Sequence, residues 1–210
     1  MVGCGNTVCI SSVSVDSSVR ATDAEVELPT LVRDRPAGSA LVYLSLGSLG
    51  SADVELMRRL VSVLADTPHR YIVSMGPQHA DYELAPNMWG AEFLPQTKLI
   101  PLVDLVITHG GNNTTTEAFH FGKPMVVLPL FWDQYDNAQR VDETGYGVRL
   151  ATYAFEAGEL RGAIDRLLGD NPLRQRMTGI GAEIRARDGV ARAADAIEAV
   201  GVRAGAASAR

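Results

Sequence analysis

Six short apolar runs alternate with segments of helical periodicity between residues 40 and 150, and this alternation constrains the fold more than any other feature of the chain. A buried strand of a parallel sheet appears as such a run, because helices cover both of its faces. Short apolar strands that alternate with helices predict an α/β fold with a doubly wound parallel sheet. The predicted strands are residues 40–46, 71–75, 90–94, 104–108, 125–128 and 147–150.

The segments between these runs carry apolar residues at the spacing of an amphipathic helix, as Val54, Met57, Leu60, Val61 and Leu64 show. This periodicity, with the stops at glycine and proline, divides the chain into three parts. We expect an arm or linker without a clear fold at 1–37, one domain at 38–204, and a frayed tail at 205–210. The predicted helices are residues 52–65, 114–121, 136–144, 159–168, 173–187 and 190–202.

Composition excludes several classes of protein. The chain has 210 residues, of which 46% are hydrophobic and 21% charged, so a full core is expected. A net charge of −6 without a lysine or arginine cluster argues against nucleic acid as a partner. The apolar runs are too short for a transmembrane segment, and the first 15 residues lack the basic start of an export signal. A cytoplasmic location fits best. Cys4 and Cys9 are interpreted as a chance pair, with a disulfide or a metal half-site as the alternatives.

Ligands of a doubly wound sheet bind at the carboxyl ends of the strands, near the switch in strand order. After the fourth predicted strand, Gly110 and Gly111 let the backbone approach a ligand closely. The helix that follows opens with unpaired N–H groups and partial positive charge, which favours an anion such as phosphate. His109 can donate a ring N–H to it, and Glu117 can accept from a ribose diol. Taken alone, the loop also fits a tight turn with threonine caps and a capping-box glutamate.

Three further loops follow predicted strands and strengthen this interpretation. Phe93 can stack on a flat base, although an isolated phenylalanine is also typical of a core. Asp133 and Gln134 offer acceptors and donors for sugar hydroxyls, while Asp133 is equally suited to capping a helix. Ser48 lies in a small-residue loop that suits the approach of a phosphate. The carboxyl ends of parallel strands converge, so we expect these loops to share one site.

The run from residue 93 to residue 134 resembles the donor-binding signature of family-one glycosyltransferases, the UDP-glycosyltransferases. That signature has an aromatic-x-Pro-Gln element, a His-x-Gly-x-Asn-Ser/Thr-x-x-Glu element and a final Asp/Glu-Gln, found here at 93–96, 109–117 and 133–134. The similarity covers about residues 41 to 202. It implies a Rossmann-like domain, the C-terminal half of a GT-B fold, in which two such domains face each other across a cleft. Phe93 and Asn112 depart from the family, which usually has tryptophan at the first position and often at the second.

The resemblance also implies a role for each element. Residues 93–94 would hold uracil, and Gln96 with Glu117 would hold the ribose. The start of the helix after His109, together with Ser48, would hold the diphosphate. Residues 133–134 would hold the sugar. His109 would stabilise the diphosphate rather than act as the catalytic base. The implied binding residues are Ser48, Phe93, Leu94, Gln96, His109, Gly110, Gly111, Asn112, Asn113, Thr114, Glu117, Asp133 and Gln134.

The implied reaction moves a hexose from UDP to an acceptor hydroxyl with inversion, without a metal and with no cofactor besides the UDP-sugar donor. In the family, a histidine of the N-terminal domain is the base, and the residues before position 41 do not resemble that domain. We therefore expect the base and the acceptor pocket to come from a partner domain or chain. The alternatives are a fragment, one subunit of a split transferase, a non-catalytic UDP-sugar-binding module, a sugar-nucleotide epimerase or a sensor. An NAD-binding domain is set aside, because 47–50 lacks the Gly-x-Gly-x-x-Gly pattern.

Overall fold

The computed structural model of the chain describes residues 27–187 and 189–208, and within them lies a single sheet of six parallel strands. The order along the sheet is β3-β2-β1-β4-β5-β6, so the direction of winding reverses between β1 and β4. The α/β fold with a doubly wound parallel sheet is thus confirmed. The strands are β1 Leu41–Ser45, β2 Arg70–Ser74, β3 Met88–Ala91, β4 Leu105–Thr108, β5 Met125–Val127 and β6 Gly147–Arg149.

Helices cover both faces of this sheet and create two cores. All five residues of β1 are buried, as expected of a central strand in a parallel sheet. Val42 and Leu44 face one core, whereas Leu41 and Tyr43 face the other. In the register, Tyr43 lies beside Ile72 of β2 and Val106 of β4.

The predicted helices are present, with ends that differ by a few residues from the periodicity. Asp53 and Asp170 cap two of them by accepting a backbone N–H from the first turn. The 3₁₀ turns are His79–Asp81 and Ile100–Leu102. The α-helices are α1 Thr30–Arg33, α2 Gly47–Gly50, α3 Val54–Ala65, α4 Gln96–Leu99, α5 Asn112–His120, α6 Gln134–Glu143, α7 Ala157–Gly169, α8 Asn171–Arg185 and α9 Gly189–Ser208.

The third strand ends earlier than the apolar pattern predicts, at Ala91 rather than at residue 94. Its ladder with β2 ends where Ser74 pairs with Ala91, and the Glu92 carbonyl then accepts from the N–H of Gly76 as the chain turns away. Phe93 therefore lies outside the sheet. Apolar residues beyond a strand end cannot be told from strand residues by pattern alone.

The described part of the predicted arm, residues 27–37, packs on the domain. Val32 of α1 is buried in the core cluster that contains Tyr43. Arg35 forms an ion pair with Asp104 at 2.8 Å, just before β4. At the other end α9 continues to Ser208, so residues 205–208 of the predicted tail are helical. Cys4 and Cys9 lie outside the described residues, among which no helix combines the length and apolar character needed to cross a membrane.

Candidate functional site

A cleft of about 740 Å³ opens at the carboxyl ends of the strands, where the strand order reverses. This is the position at which doubly wound sheets bind ligands. The predicted residues that line it are Ser48, Phe93, Leu94, Gln96, His109, Gly111, Asn112, Asn113, Thr114 and Glu117. The structure thus brings most of the predicted site into one cavity, and the remaining three lie behind or beside it.

The His109 imidazole is held between two loops that expose bare backbone to it. A Cβ atom on Gly47, after β1, would lie 3.0 Å from the imidazole ring, and a Cβ atom on Gly111 would lie 2.6 Å from Nε2. Gly47 also has a φ of +67°, in the left-handed region that favours glycine. Glycine at both positions therefore lets the loops after β1 and β4 close on the ring.

The His109 ring is hydrogen-bonded on one side and half-buried. The buried Thr108 Oγ1 accepts from the N–H of Gly110 at 3.2 Å and lies 3.4 Å from Nδ1 of His109. A hydroxyl can donate to Nδ1 or accept from it, so this contact is compatible with either ring tautomer. Burial lowers the pKa of His109, and the Asp133 charge opposes this shift. Near neutral pH the ring is therefore neutral.

The start of α5 supplies further donors to the cleft. Gly111 is the N-cap and its carbonyl accepts from the N–H of Thr115 at 3.1 Å, while no side chain caps the helix. The backbone N–H groups of residues 112–114 precede any helical carbonyl that can accept from them. They carry the partial positive charge of the helix end, which favours an anion. The helix begins at Asn112 rather than at residue 114, so the capping-box alternative does not apply.

The two asparagines at the start of α5 differ in their contacts. Asn112 Oδ1 accepts from Nδ2 of Asn137 at 3.0 Å, and the same amide also donates to the Gly110 carbonyl at 2.9 Å. Asn112 thus fixes α5 against α6 as well as lining the cleft. Asn113 is exposed and lines the cleft, and no hydrogen bond of its side chain is seen among the described residues.

Farther along the cleft, the half-buried Gln96 forms a hydrogen bond with the buried Glu117. Glu117 is 1% exposed, and its Oε2 accepts from Nε2 of Gln96. The same Nε2 donates to Thr114 Oγ1 at 3.1 Å, while Gln96 Oε1 accepts from the Tyr43 hydroxyl at 3.2 Å. The Thr114 hydroxyl, predicted to contact the diphosphate, is thus bonded to Gln96. The backbone N–H of Thr114, rather than its hydroxyl, is therefore the group available to an anion at the start of α5.

The aromatic residue predicted to stack on a base stands at the rim. Phe93 is 68% exposed and lines the cleft with Leu94 and Pro95, so the alternative of a core phenylalanine is wrong. An exposed ring has a face available for a flat heterocycle, and burying it against one would remove apolar surface from water.

Three predicted residues do not line the cleft. Gly110 has a φ of +86°, in the left-handed region that favours glycine, and an added Cβ atom would lie 2.8 Å from Val127 Cγ1. This position therefore requires glycine for the path of the backbone. Gln134 is buried, and its Oε1 accepts from the N–H groups of Leu130 at 2.9 Å and Phe131 at 3.1 Å. It shapes the loop after β5.

Asp133 lies at the N-cap of α6 without a capping hydrogen bond from its side chain. The helix-cap alternative for this residue therefore does not hold. The carboxylate is exposed, and its charge raises the pKa of His109 against the effect of burial. Asp133 thus lies close enough to His109 to act on it electrostatically, beside the cleft.

Sequence reasoning missed several residues of the cleft wall. Tyr43 and Ser45 of β1 and Ser74 of β2 carry hydroxyl groups there. Tyr43 and Ser45 are two residues apart, so alternation along β1 was a signal that they share one face. That Ser74 lies on the same wall depends on the register between β1 and β2, which the sequence pattern does not contain. The other missed lining residues are Gly47, Leu49, Gly76, Glu92, Pro95, Thr97 and Phe131.

Known proteins resemble this chain in both sequence and fold. A family model described as the C-terminal domain of erythromycin biosynthesis protein CIII-like proteins matches residues 58–200. The NDP-glycosyltransferase YjiC of Bacillus subtilis is 32% identical over 170 residues, covering 79% of this chain and 42% of that protein. UDP-glucuronosyltransferase 3A1 of Bos taurus is 33% identical over 172 residues, covering 79% of this chain and 32% of that protein.

A solved structure of the glycotransferase of kitacinnamycin superposes with a TM-score of 0.73 at 30% identity, covering 85% of this chain and 46% of that one. This chain thus spans less than half the length of each of these relatives. The chain therefore belongs to the EryCIII-like C-terminal domains of family-one glycosyltransferases, and its α/β domain is the C-terminal half of a GT-B fold.

Proposed function

We propose that the cleft binds a UDP-hexose, and that the chain is the donor-binding domain of a transferase that moves the hexose to an acceptor hydroxyl. One observation carries this proposal. A single cleft joins an exposed aromatic ring, the hydrogen-bonded Gln96–Glu117 pair and an anion site formed by His109 and the start of α5. A base, a pentose and a diphosphate follow one another in the same order in a nucleotide sugar.

Uridine is the nucleoside proposed for this cleft. The relatives differ in the nucleotide that their names give, since the bovine protein is a UDP-glucuronosyltransferase and the bacterial one an NDP-glycosyltransferase. Phe93 supports a stacked pyrimidine at the rim, with the Leu94 backbone beside it for the base edge. Glu117 and Gln96 support a ribose, because a carboxylate accepts from both hydroxyls of a diol.

The diphosphate is proposed to lie between the two loops that hold His109. When the bond from the anomeric carbon to the diphosphate oxygen breaks, its electron pair and the developing negative charge go to UDP. We assign the stabilisation of that charge to the backbone N–H groups of residues 112–114, to His109 as a donor at Nε2, and to the exposed Ser48 hydroxyl. Preorganised donors of this kind are usually the largest electrostatic contribution to catalysis. We propose on this basis that departure of UDP needs no metal ion.

The sugar end of the cleft is proposed to lie toward the loop after β5. Asp133 is the exposed carboxylate there and is assigned to the hexose hydroxyls, while Gln134 acts by holding the backbone of Leu130 and Phe131. Inversion requires the acceptor oxygen to attack the anomeric carbon from the face opposite UDP, with its proton passing to a base. All four histidines are described, and His109 alone among them lines the cleft. Because His109 serves the leaving group, we assign the base and the acceptor pocket to a partner domain or chain.

Calorimetric titration of the folded chain with UDP, in the presence of EDTA, tests the donor site. We expect saturable binding of UDP, markedly weaker binding of ADP, and a loss of about 10- to 100-fold in UDP affinity for His109→Ala, the usual worth of a hydrogen bond to a charged group. The matched control is His120→Ala at the far end of α5, which should leave UDP binding unchanged. Equal affinity for UDP and ADP, or an unaffected His109→Ala variant, would contradict the proposal.

A further inference from the structure

We propose that Tyr43 is a positioning residue for the nucleotide ribose, acting by fixing the orientation of the Gln96 side-chain amide. The inference rests on the proposed function, since it concerns the ribose part of the same cleft. Tyr43 lies in the middle of β1, and its side chain is 1% exposed. Its hydroxyl nevertheless reaches the cleft wall and donates to Gln96 Oε1 at 3.2 Å.

The polarity of this contact determines which end of the amide faces Glu117. An amide has an acceptor oxygen at one end and a donor nitrogen at the other. With Oε1 held by Tyr43, Nε2 is turned toward Glu117 Oε2. Thr114 Oγ1 lies 3.1 Å from Nε2 and 3.4 Å from Oε1, so it does not favour either orientation. The reverse orientation would place an amide oxygen against a buried carboxylate, and two acceptors in contact cannot form a hydrogen bond. Tyr43 and Glu117 thus hold the two ends of the amide in the orientation observed.

The hydroxyl of Tyr43 lies among other hydroxyl groups and remains protonated. Ser45, two residues along β1, and Ser74 of β2 are its polar neighbours on the cleft wall. The phenol donates its proton to Gln96 Oε1. Burial raises the pKa of Tyr43 far above its ordinary range, and the charge of Glu117 adds to this effect. The phenol thus remains a hydrogen-bond donor at every pH at which the protein would be assayed.

The consequence for the ligand is a preference for ribose over 2′-deoxyribose. Glu117 is 1% exposed, so its carboxylate has little access to water and needs its hydrogen bonds from neighbouring groups. A ribose brings two hydroxyl donors to the pair, and a 2′-deoxyribose brings one. If Gln96 and Glu117 are held in one arrangement, the second hydroxyl contributes fully. If the Gln96 amide rotates, part of that contribution is lost, while the base and diphosphate contacts are unchanged.

The test compares the dissociation constants of UDP and 2′-deoxy-UDP for the wild-type chain and for Tyr43→Phe. We expect UDP to bind about three- to tenfold more weakly to Tyr43→Phe, the effect of one hydrogen bond, and 2′-deoxy-UDP to change by no more than about twofold. The matched control is Tyr71→Phe. Tyr71 is also fully buried, but it faces the opposite core and its hydroxyl contacts Thr67 Oγ1 at 2.8 Å. The control should leave the ratio of the two constants unchanged.

A double-mutant cycle establishes whether Tyr43 acts through Gln96. In a Gln96→Leu background, Tyr43→Phe should produce no further change in the ratio of the dissociation constants of UDP and 2′-deoxy-UDP. If Tyr43→Phe does not fold, Ser74→Ala provides the same comparison, because it removes a polar neighbour of the phenol on the cleft wall. From that variant we expect a smaller change in the ratio of the two dissociation constants.

Two outcomes would overturn the inference. The first is an unchanged ratio of the two dissociation constants in folded Tyr43→Phe, whether or not both nucleotides bind more weakly. The second is additive effects in the double-mutant cycle. Failure of the proposed function is a separate result, since it would show as the absence of saturable UDP binding by the wild-type chain.

Discussion

At the residue scale, the candidate anion site depends on two glycines as much as on His109. The imidazole ring occupies the space that a Cβ atom would need at Gly47 and at Gly111. The sequence shows the glycine pair beside His109, and from it the close approach of backbone could be predicted. The loop after β1 also closes on the His109 ring. This is a tertiary contact between residues far apart in the chain, so it could not be predicted from local sequence patterns.

Replacement of Gly47 by alanine should weaken nucleotide binding. The added Cβ atom would lie 3.0 Å from the His109 ring, and the residue would have to keep a φ of +67°. Gly38→Ala is the matched control, because Gly38 has a φ of +80° with nothing within 4 Å of the added atom. Both variants should lose about 1 kcal/mol of stability from the left-handed backbone, and Gly47→Ala alone should lose UDP affinity. Equal UDP binding by the two variants in calorimetry would argue against the role assigned to Gly47.

The lowered pKa of His109 predicts how stability depends on pH. Its pKa is lower in the folded chain than the unfolded value of 6.5, so the unfolded chain binds the proton more tightly. The free energy of unfolding is therefore fully retained above pH 6.5 and falls as the pH drops from 6.5 toward the folded pKa. The pKa of His120 is lowered as well, by burial and by the charge of Arg185, so it acts in the same direction.

Urea denaturation of the wild-type chain and of His109→Gln, at several pH values between 5 and 8, checks this prediction. The decline of the free energy of unfolding below pH 6.5 should be shallower for His109→Gln and should not disappear, since His120 remains. The same slope in both proteins would mean that His109 titrates alike in the folded and unfolded chain.

At the element scale, the existence and type of the strands and long helices could be predicted, and their ends could not. Strand β3 ends at Ala91 because its partner strand ends there, whereas the apolar residues continue through Phe93 and Leu94. Helix α5 begins after Gly111, although asparagine is a better N-cap residue than glycine and stands at the next two positions. In both cases the neighbouring strand or loop decides where the element ends.

The loop before α6 gives a prediction that separates support of the backbone from contact with the sugar. Gln134 is 3% exposed and holds two backbone N–H groups, so Gln134→Leu should reduce the free energy of unfolding by about 2 kcal/mol. The matched control is Gln139→Leu, because Gln139 is an exposed residue of the same helix whose side chain donates to Glu143. This control should change the free energy of unfolding by less than about 0.5 kcal/mol. Equal stabilities in urea denaturation would show that Gln134 does not support this loop.

At the scale of the whole molecule, the strand order accounts for the position of the site. Loops far apart in the chain meet because β1 and β4 are neighbours at the point where the winding reverses. The alternation of strands and helices predicted the class of sheet, and the rule for such sheets predicted which loops would converge. The hydroxyls of Tyr43, Ser45 and Ser74 were not predicted, because their place on the cleft wall depends on the strand register.

A crystal structure of the chain with UDP tests the central claim most directly, because it shows where each part of the nucleotide lies. We expect the uracil ring against Phe93, the ribose hydroxyls within hydrogen-bonding distance of Glu117, and the diphosphate between the N–H groups of residues 112–114 and Nε2 of His109. UDP bound outside this cleft, or with its diphosphate turned away from the start of α5, would contradict the account.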